Sequence, residues 1–84
     1  MYWDVTDVKT EKHLTLRVCF SDGTKGYVRF MPEHLKGVLM PLNDPQFFKQ
    51  VFIDSGAVAW PGEIDIAPDA MYHQIKQCGE WILR

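Results

Sequence analysis

Trp60-Pro61-Gly62-Glu63-Ile64-Asp65-Ile66-Ala67-Pro68-Asp69-Ala70-Met71-Tyr72 is the stretch on which the fold turns. Trp60 closes a short apolar run, and Pro61-Gly62 forces a reversal. Ile64 and Ile66 then alternate with Glu63, Asp65 and Ala67 as a brief edge strand. Pro68-Asp69 opens a helix, because proline suits the first helical position and an acidic side chain favours the positive end of the helix dipole. Met71, Ile75, Cys78 and Ile82 share one helical face, and Gly79 weakens that helix. Residues 76–84 read as a C-terminal extension of it. Every part reads as architecture, none as reaction chemistry.

Working outward, Val51–Asp54 and Ala57–Trp60 form a hairpin across Ser55-Gly56. Before them, Asp44 caps a short helix that starts at Pro45 and turns Phe47 and Phe48 toward the sheet. Pro41-Leu42 reads as extended. Pro32-Glu33 opens a helical turn that Gly37 closes. Further upstream, Tyr2–Lys9, His13–Phe20 and Lys25–Phe30 alternate as strands of an antiparallel meander. Ser21-Asp22-Gly23-Thr24 turns between the last two, with Gly23 supplying positive φ. In the second strand Leu14, Leu16, Val18 and Phe20 face inward, and Thr15, Arg17 and Cys19 outward.

The reading is a two-layer α+β domain over residues 1–84. About five to six short antiparallel strands pack on a C-terminal helix and one or two short helices. Hydrophobic residues make up 46% of the 84 and aromatics 13%, which is enough for one small core and argues against disorder. Nine basic and eleven acidic residues interleave to a net charge of −2, without the basic stripe of a nucleic-acid binder. The chain starts with no leader pattern and has no apolar run long enough for a bilayer. Cys19 and Cys78 therefore read as reduced, buried thiols of a cytoplasmic protein.

Candidate chemistry is sparse. His13, His34 and His73 fall in different elements, so no metal ligand set forms and no cofactor is expected. Ser21 and Ser55 are turn residues. Asp65, Asp69 and His73 are the best acid–base candidates, since Asp69 and His73 share a helix face. The outward row Lys25, Tyr27 and Arg29, with Arg17 on the neighbouring strand, is the best binding candidate, because basic and aromatic sheet faces can hold nucleic acid or an acidic peptide. Tyr2, Trp3 and Trp81 either complete the core or form an aromatic patch for a partner.

Three fragments in this order carry a resemblance: Asp22-Gly23 between strands, Gly37-Val38-Leu39-Met40-Pro41-Leu42-Asn43-Asp44-Pro45-Gln46-Phe47-Phe48, and the stretch from Trp60 to Tyr72. Together they resemble a bacterial family called domain of unknown function 2442, from Trp3 to Ile75. Leu39 and Met71 replace the phenylalanine and leucine common there, both apolar swaps. Arg29-Phe30-Met31-Pro32-Glu33-His34 departs from the acidic ending often found before the short helix.

The resemblance implies a two-layer α+β fold, with Trp60, Pro61, Gly62, Asp65, Pro68, Asp69 and Tyr72 as motif residues and no catalytic ones. It further implies a stand-alone protein paired, antitoxin-like, with the product of a neighbouring gene. The leading expectation is thus a non-catalytic protein-interaction module. The alternative is a regulatory nucleic-acid binder using Arg17, Lys25, Tyr27 and Arg29, and an enzyme ranks last. Homodimerisation through a strand edge is left open. No membrane role is expected.

Overall fold

The computed structural model describes residues 2–83, so Met1 and Arg84 of the expected 1–84 domain lie outside the described residues. Strands β1 (Val5–Lys12), β2 (Thr15–Phe20) and β3 (Lys25–Phe30) form the expected antiparallel meander. Two 3-10 turns follow, Pro32–His34 and Gly37–Asn43, and then the one-turn helix α1 (Pro45–Phe48). Asp44 caps α1 through its carboxylate, which accepts from the Gln46 N–H at 3.0 Å. Strands β4 (Phe52–Asp54), β5 (Ala57–Trp60) and β6 (Ile64–Ile66) make a second antiparallel sheet. Helix α2 (Pro68–Cys78) and strand β7 (Glu80–Leu83) complete the fold. The strand orders are β1-β2-β3-β7 and β4-β5-β6.

The α+β expectation holds, with corrections that have physical causes. Residues 80–83 are not a helical extension. Gly79 takes φ +79, its N–H bonds the Ile75 carbonyl at 2.7 Å, and the chain turns back as β7 beside β3. That left-handed cap is the usual way a helix ends on glycine. β7 runs parallel to β3, so the sheet is mixed and the strands number seven among the described residues. Ile82 consequently leaves the helical face assigned to it. Cys78 is exposed rather than buried, Cys19 is half-buried, and both thiols are free.

Other boundaries shift. β1 starts at Val5, not Tyr2, because Tyr2 and Trp3 pack as an aromatic pair: Tyr2 meets Trp3 at 4.8 Å and Tyr72 at 5.1 Å. Leu14 lies in the β1–β2 turn at φ +66, and Thr15, expected outward, is buried. Gly37 opens the second 3-10 turn instead of closing the first, and Pro41-Leu42 is inside that turn rather than extended. Phe48 faces the core as expected, with Phe47 half-buried beside it.

One core joins both sheets and α2. Leu16, Val18, Phe20, Val28 and Phe30 come from the first sheet, Val58 and Trp60 from the second, Met71 and Ile75 from α2. Phe30, Phe48 and Trp60 pack with ring centroids within 5.9 Å of one another. The Trp60 indole N–H donates to the buried Phe48 carbonyl at 2.9 Å, which satisfies a helix-end acceptor that water does not reach. The hairpin tip docks separately: Val5 N–H bonds the Gly56 carbonyl at 2.9 Å. Among the described residues no helix is long and apolar enough to cross a membrane.

Gly26 sets how closely α2 approaches β3. A Cβ there would stand 2.5 Å from Ile75 Cγ2 and 2.6 Å from the Gly79 carbonyl oxygen. The second clash is with backbone and cannot be relieved by a rotamer change. Gly26→Ala is therefore expected to destabilise by about 1–3 kcal/mol in urea denaturation. Trp60→Phe, which leaves the Phe48 carbonyl unpaired, should cost about 2 kcal/mol in the same assay.

Candidate functional site

The outward face of the first sheet brings the expected binding residues together. Arg17 is directly opposite Tyr27 across β2–β3, with Lys25 and Arg29 on either side in β3. Arg29 covers the Tyr27 ring, its guanidinium carbon 5.5 Å from the centroid. Two of the three cations are already engaged, however. Arg29 Nε donates to Glu80 Oε1 at 2.7 Å, a pair made possible by β7, and Arg17 lies 3.7 Å from Glu11. This face offers an aromatic platform with its charge largely balanced.

Asp65, Asp69 and His73 do not form a catalytic cluster. Asp65 is on β6 opposite Ala59, and Asp69 and His73 are exposed on α2. Asp65 does not cap α2: the N-cap is Ala67, with no side-chain bond. The His73 ring instead packs edge-on against Tyr72 at 6.0 Å. Among the described residues no group of three His, Cys, Asp or Glu side chains converges on a metal position.

Tyr72, the last residue of the Trp60 motif, joins α2 to the β2–β3 turn. Its hydroxyl donates to Asp22 Oδ2 at 2.5 Å, while Asp22 Oδ1 accepts from the Thr24 N–H at 2.9 Å. These bonds, that of Tyr72 foremost, pull the Asp22 pKa from 3.8 down to about 2. Tyr72 is raised in turn, chiefly because its proton is held by the carboxylate and secondly by burial. Asp22 ionisation therefore adds stability that is complete above pH 3.8 and fades as pH falls toward 2. The Tyr72 contribution is present below pH 10 and fades above it. The pair acts as a lock on the fold. Tyr72→Phe should lower the melting temperature at pH 7 and move acid unfolding to higher pH, as followed by circular dichroism.

A concavity that no sequence motif marks lies elsewhere. A cleft of about 800 Å3 runs between β1 and the α1 region. Val8, Thr10, Phe48 and Val51 form its floor, and Lys9, Lys12 and Lys49 its rim. At one end His13 Nε2 lies 3.0 Å from the Asn43 carbonyl, and the ring meets Phe48 edge-on at 5.6 Å. Among the described residues none of these lysines has a carboxylate within ion-pair distance. Lys9 and Lys12 stand far from Lys49 in sequence, and only the packing of α1 against the meander makes them neighbours.

The cleft runs along an open sheet edge. Along β2 and the residues flanking it, the Leu14 carbonyl and Phe20 N–H bond toward β3, whereas Ser21 N–H bonds toward β1. Odd-numbered β2 residues thus address β1, and their partners Asp7 and Lys9 point back at them. Val8 and Thr10 consequently aim their backbone N–H and C=O away from β2, where β1 ends the sheet. Val38 and Met40 of the Gly37–Asn43 turn stand 77% and 59% exposed.

Comparison with known proteins agrees with the motifs. The family described as Protein of unknown function (DUF2442) matches residues 5–77, from the start of β1 almost to the end of α2. No curated protein and no solved structure matches the chain.

Proposed function

Because this chain belongs to the DUF2442 family, which is described as of unknown function, we propose from its own geometry that it is a non-catalytic protein-interaction module of the antitoxin or adaptor kind. The observation that carries this reading is the open β1 edge with a cleft beside it. An unpaired strand edge presents a row of donors and acceptors that invites another chain, and folds usually blunt or cover it. Here the edge is instead bordered by an apolar floor and free cations, which is the composition of a recognition surface. Strand addition to such an edge is a recurrent way of binding proteins.

The acid–base candidates contribute nothing to this cleft, being on β6 and α2. The Tyr27 platform, with Arg17 and Arg29 engaged by carboxylates, favours a solvated face over a nucleic-acid surface. The reading puts the module in a bacterial cytosol, where free Cys19 and Cys78 stay reduced. Its partner is the product of a neighbouring gene.

Affinity purification of the full chain from its native host, followed by mass spectrometry, should recover that product in stoichiometric amount. Recovery of no partner would overturn the reading. So would metabolite turnover by the purified protein that is lost on neutralising a single carboxylate.

A further inference from the structure

The geometry points to an extended, acidic segment of a partner protein as the occupant of this cleft, added to β1 as a fifth strand of the first sheet. The inference rests on the interaction-module reading and specifies its chemistry. The outward N–H and C=O groups of Val8 and Thr10 have the spacing and alternation of a second extended backbone, which would replace the water at this edge. The open stretch from Val8 to Lys12 is roughly 14 Å long at strand rise, enough for several alternating contacts. Side chains on one face of the added strand would meet Val8, Phe48 and Val51, so apolar residues suit those positions.

Charge selects the rest. Lys9, Lys12 and Lys49 surround the cleft, and its single acid, Glu11, is already beside Arg17. The rim is thus net positive on a chain whose overall charge is −2. A second copy would bring the same lysines against themselves, and like charges across an interface are costly. An acidic segment gains three unpartnered cations at once. A nucleic acid would meet the lysines but leave the strand edge and apolar floor unused.

The test uses the uniformly 15N-labelled full chain and a synthetic acetyl-Glu-Val-Glu-Thr-Glu-Val-Glu-amide peptide at low salt. Binding should shift the amides of Val8 to His13 and of residues 46–51, and slow hydrogen exchange at Val8 and Thr10. The double charge reversal Lys9→Glu with Lys49→Glu, both exposed positions, should weaken binding about tenfold or more. N-methylation of alternate peptide bonds should abolish it with the charge unchanged. Thr10→Pro, which removes an outward donor, should do likewise wherever circular dichroism shows the variant folded.

Failure of the peptide to shift β1, or equal binding by its N-methylated form, would overturn the proposal. So would self-association through the same amides, or displacement of the peptide by a single-stranded oligonucleotide at lower concentration. The two readings fail separately. A native partner retained undiminished by the charge-reversed variant removes the edge site and leaves the interaction module standing, whereas recovery of no partner removes the module itself.

Discussion

The Trp60 indole N–H meets the Phe48 carbonyl in a place that water does not enter. Helix α1 is a single turn and could not persist alone, since a nucleus that short lacks the hydrogen bonds to offset its ordering. It is held by Phe48 in the core, by the Asp44 cap, and by this bond at its C-terminal end. Both sheets depend on the arrangement, because Trp60 belongs to one and packs on Phe30 of the other. So does the cleft, one wall of which is α1. The shape of the cleft is therefore set by a buried polar contact.

Much of the fold was legible because local signals and packing agreed. Pro45 and Pro68 marked helix starts, Gly23 and Gly56 marked turns, and alternation located the inner face of β2 and β3. Legibility failed where tertiary contacts outweighed local preference. The spacing of Met71, Ile75, Cys78 and Ile82 is a helical signal, yet Gly79 can turn the chain, and β3 had an edge to satisfy. Likewise Tyr2 and Trp3 alternate like a strand, but the Tyr2 ring packs edge-on against both Trp3 and Tyr72.

The sites divide along the same line. Arg17, Lys25, Tyr27 and Arg29 could be grouped from sequence because strand register follows from hairpin geometry. Their carboxylate partners could not, since Glu80 reaches Arg29 only through the unforeseen β7. The cleft was invisible for a related reason. Which edge of a sheet stays uncovered is decided by where later elements pack, and no periodicity records that. Tyr72 shows the converse: a motif residue whose partner, Asp22, lies in another motif fragment, so that two separate sequence signals report one contact.

The parallel strand β7 also dictates an order of assembly. Strands β1 to β3 are joined by tight turns, as are β4 to β6, so each group can zip as soon as its own residues are available. Tyr27, by contrast, pairs with Glu80 more than half the chain later. Closing so long a loop carries an entropy cost that only an already formed core can offset. During folding β3 thus waits as a temporary margin of the sheet, sticky to neighbouring chains until residues 80–83 dock and seal it.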